Sequence, residues 1–286
     1  MADIFHHIVQ QLSPVYGQGE ARAMGRMLVE DLLGLSFTRV VAGLCDELLV
    51  ERKEIVDEAV ARLLCREPIQ YVIGRAQFCD HWFRVNPSVL IPRPETEQLV
   101  EIVGQLALPQ ESDGNGLARV RVMDACTGSG CIAVSLKLAH PDWQVEACDV
   151  SEAALDVACA NAAENEADVR FCSVDVLSEV RPQGPFDVIV SNPPYVMQKE
   201  KTSMESHVLE HEPALALFVD DENPLVFYKA LADWGRASLK PGGWLAVEIN
   251  AALGQQTADV FAQAGYADVQ LMADMFNNER FVICRK

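Results

Sequence analysis

The sequence predicts an α/β protein: a largely parallel sheet covered on both faces by helices, preceded by a small helical region and an extended linker. Three observations predict it. From Arg119 onward, short apolar runs alternate with segments of helical periodicity, the pattern of strand–helix–strand crossovers. Up to about residue 70 the apolar positions recur instead at three- and four-residue spacing. Between the two lies extended chain rich in aromatic residues, with a turn signal inside it.

In the helical region, Met24, Met27, Leu28 and Leu32 share a face ahead of Gly34, and Ser36 is placed to cap the next short segment. From Glu51 to Cys65, the positions Ile55, Val56, Ala59, Val60, Leu63 and Leu64 make one stripe on an otherwise charged helix, which Pro68 ends. Residues 1–74 therefore read as a helical domain with no catalytic constellation of its own, a packing or partner-docking module. The texture turns extended from Tyr71. Residues 75–93 read as a linker in which Phe78, Trp82, Phe83 and Val85 form a strand pair or hairpin, with Asn86-Pro87-Ser88 as its turn signal. Pro94 suits the first turn of a helix, with Glu95 and Glu97 near its positive end.

Residues 94–286 carry the sheet. Val120–Asp124, Val145–Asp149, Val169–Asp175 and Phe186–Ser191 read as strands, with helices Gly130–His140 and Glu152–Asn161 between the first three. A helix Pro224–Ser238, a Lys240-Pro241-Gly242-Gly243 turn, a strand Trp244–Ile249 and a helix Gln255–Ala264 follow. Val269–Met272 and Arg280–Cys284 are too close for a helical crossover and are expected to pair antiparallel at the sheet edge.

Composition excludes several classes. Lys plus Arg number 23 against 42 Asp plus Glu, a formal net charge of −19, which argues against a main grip on nucleic-acid phosphates. The nine cysteines are odd in number, dispersed and without a C-x-x-C pair, so reduced thiols are expected rather than a disulfide framework or a zinc site. Met1–Gln10 lacks the basic-then-apolar order of a signal peptide, and no apolar run approaches the roughly 18 residues of a membrane span. A cytoplasmic protein with no membrane partner is the expectation.

In open α/β sheets, ligands bind outside the carboxyl ends of the strands. The first strand runs into Asp124-Ala125-Cys126-Thr127-Gly128-Ser129-Gly130, whose small residues let the backbone turn tightly and approach a ligand. No Gly-Lys-Ser/Thr follows, so this is not a P-loop. The second strand ends in Asp149, close to the interval of about 20 residues at which an acid accepts from ribose hydroxyls; alternatively Asp149 caps the helix after Ser151. Together the turn and the acid favour an adenosine-containing ligand, without separating a dinucleotide from S-adenosylmethionine. The fourth strand runs into Asn192-Pro193-Pro194-Tyr195, where two prolines remove backbone donors and stiffen the turn. A planar amino group held by the Asn192 side-chain oxygen and the Pro193 carbonyl would turn its nitrogen toward the cofactor. Such a site suits methylation of an amide or an exocyclic amine.

At these residues the chain resembles a known family. Asn192-Pro193-Pro194-Tyr195 looks like the motif of amino-methyltransferases that use S-adenosylmethionine. Arg66-Glu67-Pro68-Ile69-Gln70-Tyr71-Val72-Ile73-Gly74, Phe78, Leu90-Ile91-Pro92-Arg93-Pro94-Glu95-Thr96-Glu97, Glu212-Pro213-Ala214-Leu215-Ala216-Leu217 and Lys240-Pro241-Gly242-Gly243 are similar to the HemK/PrmC family. The resemblance covers roughly residues 50 to 286. It implies a seven-stranded Rossmann-like class I methyltransferase sheet, with a helical substrate-docking domain joined by a β-hairpin linker. It also implies methyl transfer from S-adenosyl-L-methionine to the side-chain amide nitrogen of the glutamine in the Gly-Gly-Gln motif of class I peptide chain release factors. Ribosomal-protein glutamine and nucleic-acid amines are the alternative acceptors for the same pocket, with direct nucleic-acid binding not expected. By similarity, Cys126, Thr127, Gly128, Ser129 and Gly130 lie against the methionine part of the cofactor, and Asp149 takes the ribose hydroxyls. Asp175 and Val176 flank the adenine, Asn192 touches cofactor and substrate, and Pro193, Pro194 and Tyr195 complete the glutamine pocket. Cys126 and Asn250 stand where the family usually has Gly, and Val176 where an aromatic residue is often found.

Other residues carry two readings each. His207 and His211 present either an exposed polar face or a metal pair. Gln198–Ser206 is either a solvated loop or a substrate gate. Arg93 and Glu97 either close over the cofactor or pin the helix start. Cys131 and Cys172 read as small core residues.

Overall fold

The computed structural model describes residues 4–42, 52–108 and 120–286, so the expectations placed on Glu51 and Arg119 lie outside the described residues. The chain divides into two compact units: Met1–Arg75 with Glu205–His211, and Ala76–Met204 with Glu212–Lys286.

The first unit is helical. Its first helix, Ile4–Met27, contains Pro14 and kinks at Gly17, whose φ of 77° interrupts the helical geometry. A π-turn Leu28–Leu32 and the helices Phe37–Val41, Lys53–Leu64 and Ile69–Ile73 follow. Phe5, Ile8, Leu12, Leu28, Val56 and Leu63 form the core. The stripe on Lys53–Leu64 is narrower than the sequence suggests. Val56, Ala59, Val60 and Leu63 are buried, whereas Ile55 and Leu64 face solvent at its edges. Ser36 stands at the N-cap of Phe37–Val41, but its hydroxyl makes no capping bond. Tyr71, expected in extended chain, lies instead in the one-turn helix Ile69–Ile73, which ends at Gly74 in the left-handed conformation (φ 82°).

A hairpin follows at the boundary of the second unit. β1 (Arg75–Phe78) and β2 (His81–Arg84) are joined by Cys79 and Asp80 at φ 47° and 62°, both in the left-handed region as a two-residue type I′ turn requires. The hairpin turn therefore precedes the expected one. Asn86-Pro87-Ser88 is a separate downstream turn, in which the Asn86 Oδ1 accepts from the Ser88 amide at 2.9 Å. Glu97 accepts from the Cys79 amide at 3.0 Å, so it holds the hairpin turn rather than a ligand.

The sheet is built from β3 (Arg121–Ala125), β4 (Gln144–Asp149), β5 (Val169–Ser173) and β6 (Phe186–Ser191). After a two-residue pair, β7 (Val196–Met197) with β8 (Phe218–Val219), it is completed by β9 (Leu239–Glu248), β10 (Ala267–Ala273) and β11 (Glu279–Arg285). The order is β10-β11-β9-β6-β3-β4-β5. Neighbours from β9 to β5 run parallel, while β11 pairs antiparallel with both β9 and β10, as the short gap between the last two runs demands. One face packs Val122, Val145, Val188 and Ala246 under the helices Pro94–Gly104 and Cys131–Ala139. The other packs Met123, Ile189, Leu245 and Val282 under Tyr228, Trp234 and Phe261 from the helices Val226–Ser238 and Gly254–Gln263. All six residues of β6 are buried, as expected of a central parallel strand.

Lys240-Pro241-Gly242-Gly243 is not a turn before the strand but part of β9 itself. The register jumps from Phe186 opposite Leu239 to Val188 opposite Trp244, so the extra residues bulge out of the ladder with Gly242 at φ 80°. Lys240 from this bulge reaches the buried Asp187 at 2.8 Å.

Candidate active site

The strand order reverses at β3: β4 and β5 extend one way and β6 lies on the other side. At this switch point a cavity of about 370 Å³ opens at the carboxyl ends of the strands, within the size range of small-molecule sites.

Its floor is the turn after β3. Cys126 takes φ 60°, a conformation that an L-residue adopts only under strain, and Gly128 and Gly130 take 54° and 80°. The Thr127 amide donates to the Cys148 carbonyl at 3.0 Å and the Gly130 amide to the Thr127 carbonyl at 2.9 Å. Beneath the turn lies Asp124, fully buried, which accepts from the Thr127 hydroxyl at 2.5 Å and the Ala133 amide at 3.2 Å. Its other oxygen has no partner, and burial pushes this carboxyl up to about 7. Asn161, buried on the helix Glu152–Glu164, donates to the Ser129 carbonyl at 2.8 Å. It also exchanges bonds with both backbone groups of Arg84, locking turn, helix and hairpin together.

Gly130 has a different task from its neighbours. A Cβ there would stand 3.0 Å from the Ala158 Cβ and 3.2 Å from its Cα, with φ at +80°. Gly130→Ala is expected to destabilise the protein by about 1–3 kcal/mol, read as a lowered Tm in thermal denaturation.

Asp149 at the end of β4 accepts from the Gly128 amide and from the Ser151 amide, each at 2.9 Å. It is not the helix cap; Ser151 is, taking the Ala154 amide at 3.2 Å. Asp149 instead ties the glycine turn to its own strand end with one oxygen of a carboxylate that lines the cavity. Cys126, Thr127, Gly128, Ser129, Asp149, Asp175, Val176, Asn192 and Pro194 all line it; Gly130, Pro193 and Tyr195 do not. Two lining groups had no signal in the sequence. Phe227 supplies an aromatic ring to the lining that also holds Val176, and Val174 and Leu177 extend the apolar wall. Arg93 also lines the cavity. Its guanidinium pairs with buried Glu212 at 2.6 Å, while the other Glu212 oxygen accepts from the Ile91 amide at 3.2 Å. Arg93 thus belongs to the cavity wall, whereas Glu97 holds the hairpin turn, a role outside both readings given to it.

The Asn192–Tyr195 corner is braced by Thr96, which also lines the cavity, and by Glu248 behind it. Asn192 donates through Nδ2 to the Thr96 hydroxyl at 3.2 Å. Thr96 donates to Glu248 Oε2 at 2.7 Å, and the Tyr195 hydroxyl donates to Glu248 Oε1 at 2.9 Å. Burial raises the Glu248 carboxyl, against the pull of these hydrogen bonds and of Arg280. Burial likewise holds the Tyr195 phenol well above its ordinary value, so it remains a donor. Asn250 accounts for its own departure from glycine. Its Nδ2 donates to the Tyr195 carbonyl at 3.1 Å and to Glu200 at 2.9 Å, and its Oδ1 accepts from the Ala252 amide at 2.9 Å. A glycine could make none of these bonds. Glu200 belongs to the 3₁₀ turn Gln198–Ser203, none of whose residues lines the cavity. His207 sits 3.1 Å from Glu205, and His211 lies 3.3 Å from the Cys65 carbonyl. Among the described residues no group of His, Cys, Asp and Glu could hold a metal ion, and no helix is long and apolar enough to cross a membrane.

Comparison with known proteins matches residues 3–74 to the PrmC N-terminal domain and residues 107–217 to the methyltransferase small domain. The chain is 42% identical to the release factor glutamine methyltransferase of Bacteroides thetaiotaomicron, over 100% of both chains. It is 36% identical to that of Flavobacterium psychrophilum, over 96% of this chain and 95% of that one. The figure for Streptococcus pneumoniae is 34%, over 99% and 97%. Among solved structures, the hMettl16 catalytic domain, in complex with MAT2A 3'UTR hairpin 6, superimposes with a TM-score of 0.53 at 14% identity. That match covers 71% of this chain and 74% of that one, a likeness of fold. The seven-stranded sheet is thus a class I methyltransferase fold, and the full-length identity places function as well as fold: the chain is a methyltransferase that belongs to the release factor glutamine methyltransferase family.

Proposed function

We propose that the cavity binds S-adenosyl-L-methionine and that the enzyme transfers its methyl group to the side-chain amide nitrogen of the glutamine in the Gly-Gly-Gln motif of class I release factors. The observation that carries this reading is the position of Asn192. It lines one cavity together with the glycine turn and Asp149, so an amide held by Asn192 and a cofactor held by the turn would meet within a single cavity.

The residues present fit the cofactor. Asp149 offers ribose hydroxyls an ionisable acceptor, and the apolar wall of Val174, Val176, Leu177 and Phe227 suits a purine. Buried Asp124, one hydrogen bond behind Thr127, holds the turn that would carry the ligand through its bonds to the Thr127 hydroxyl and the Ala133 amide. When bound, the sulfonium supplies an already activated methyl group. The chain's own residues have a narrower task. A primary amide nitrogen is a poor nucleophile because its lone pair is delocalised into the carbonyl. The Asn192 oxygen and the Pro193 carbonyl would hold its two N–H groups, orienting the lone pair in line with the methyl carbon. The same acceptors stabilise positive charge as it develops on the nitrogen. No separate general base is required, because the methylated nitrogen loses its proton readily. The cysteines among the described residues are free thiols, which fits a cytoplasmic setting for this chemistry. We assign the helical unit the capture of the protein substrate, a role its lack of catalytic groups leaves open.

A labelled-methyl assay tests the reading. The enzyme is given S-adenosylmethionine with a class I release factor, with the same factor carrying Gly-Gly-Ala, with a ribosomal protein fraction, or with duplex DNA. Label only in the Gly-Gly-Gln factor is the expected result; label in the alanine variant or in DNA overturns it.

A further inference from the structure

We propose that Thr96 and Glu248 are positioning residues for methyl transfer: together they determine which end of the Asn192 side-chain amide faces the cavity. The proposal rests on the preceding reading for its kinetic test but not for its geometry.

An asparagine amide is symmetric in shape and opposite in chemistry at its two ends: Oδ1 accepts, Nδ2 donates. Only the first can hold a substrate N–H. If Nδ2 faced the cavity it would donate to the acceptor nitrogen and occupy the lone pair needed for attack. Shape cannot make this choice, so a directional hydrogen bond has to. Thr96, 2% exposed on the helix Pro94–Gly104, and Glu248, 1% exposed at the end of β9, provide it. The Thr96 hydroxyl donates to Glu248 Oε2 and the Tyr195 hydroxyl to Oε1, so both hydroxyl protons are committed to this one carboxyl group. With its one proton committed, the Thr96 oxygen has only lone pairs left, and Nδ2 of Asn192 donates to it. The amide is then oriented with Nδ2 toward Thr96 and its oxygen free for the cavity that Asn192 lines. Direction passes from the buried carboxyl group through the hydroxyl to the amide. Tyr195, outside the cavity wall, serves as the second ligand that satisfies the same carboxylate.

Three substitutions in the full-length enzyme separate this from simple packing. Thr96→Val keeps the side-chain shape and removes the relay. Thr96→Ser keeps the relay and removes a methyl group. Glu248→Gln keeps shape but lets Nε2 donate to the Thr96 oxygen, which drives the Thr96 proton toward Asn192 and reverses the amide. The expected result is a roughly 10- to 100-fold loss of kcat in Thr96→Val and Glu248→Gln, with Kd for S-adenosylhomocysteine within about twofold of wild type and Thr96→Ser within about threefold in kcat. Solvent exchange of the Asn192 side-chain amide, followed by NMR on enzyme carrying labelled asparagine, should accelerate in Thr96→Val and not in Thr96→Ser. The proposal is overturned if Thr96→Val retains near-normal kcat with unchanged amide exchange. It is equally overturned if Thr96→Ser loses as much as Thr96→Val, since packing alone would then explain both. Should the unsubstituted enzyme fail to label the release factor, the proposed function falls while the exchange experiment still decides the relay.

Discussion

Asn192→Ala is expected to lower kcat for methyl transfer to a release factor by about 10²-fold or more, while the Kd for S-adenosylhomocysteine moves by less than about threefold. The asymmetry follows from where the residue sits. Asn192 is one wall of a cavity whose remaining walls, the glycine turn and Asp149 among them, keep their bonds in the variant. What disappears is the acceptor that aligns the substrate amide, and alignment is felt mainly in the transition state, where a weak nucleophile must meet the methyl carbon along one line. Stability should change little, because Asn192 gives up a single, long 3.2 Å bond to Thr96, and Thr96 retains its bond to Glu248. Steady-state kinetics and calorimetric titration check the two halves. A variant with kcat near wild type would remove Asn192 from the reaction altogether.

Asp149→Ala should give the converse pattern: cofactor affinity weakened about 10- to 100-fold, with kcat at saturating cofactor reduced far less, if ribose hydroxyls each lose a charge-assisted bond of about 1.5–3 kcal/mol. A second contribution comes from the protein itself. The same carboxylate takes the Gly128 amide, so its loss also loosens the turn on which the ligand rests. Asp149→Asn should be intermediate, since an amide oxygen still accepts from one group but carries no charge. Isothermal titration with S-adenosylhomocysteine reads the ranking directly. An alanine variant that binds as tightly as wild type would exclude the ribose role and leave Asp149 as a turn anchor only.

These two residues were legible before any coordinates because their signals are local. Asp149 stands at the end of an apolar run, one helix downstream of a glycine-rich turn, and Asn192 precedes two prolines at the end of another. Backbone requirements write themselves into short stretches of residues. The alternation of β3 to β6 with helices and the antiparallel edge of β10 and β11 were legible for the same reason. Where local signals misled, a neighbour had overridden them. Lys240-Pro241-Gly242-Gly243 has turn chemistry yet lies inside β9, because β6 and β11 pair on either side and the spare residues can bulge. The hairpin turns at Cys79-Asp80, which carries no glycine, while the more turn-like Asn86-Pro87-Ser88 serves only to redirect the chain. Tyr71 looked like strand texture but was taken up by a single helical turn ending at Gly74.

The supports of the site belong to a different category. Thr96 meets Glu248 across 152 positions and Asn192 across 96, Phe227 arrives at the cavity from the helix Val226–Ser238, and Asn161 joins Arg84 from 77 positions away. Periodicity, proline and glycine placement, and the order of strands are short-range properties that any reader of the chain can extract, since each residue's φ/ψ preferences act on its immediate neighbours. Which hydroxyl faces which buried carboxylate is settled by packing seven strands and their helices together. In that interior an unpartnered polar group is expensive, and distant residues are selected by the geometry that satisfies it.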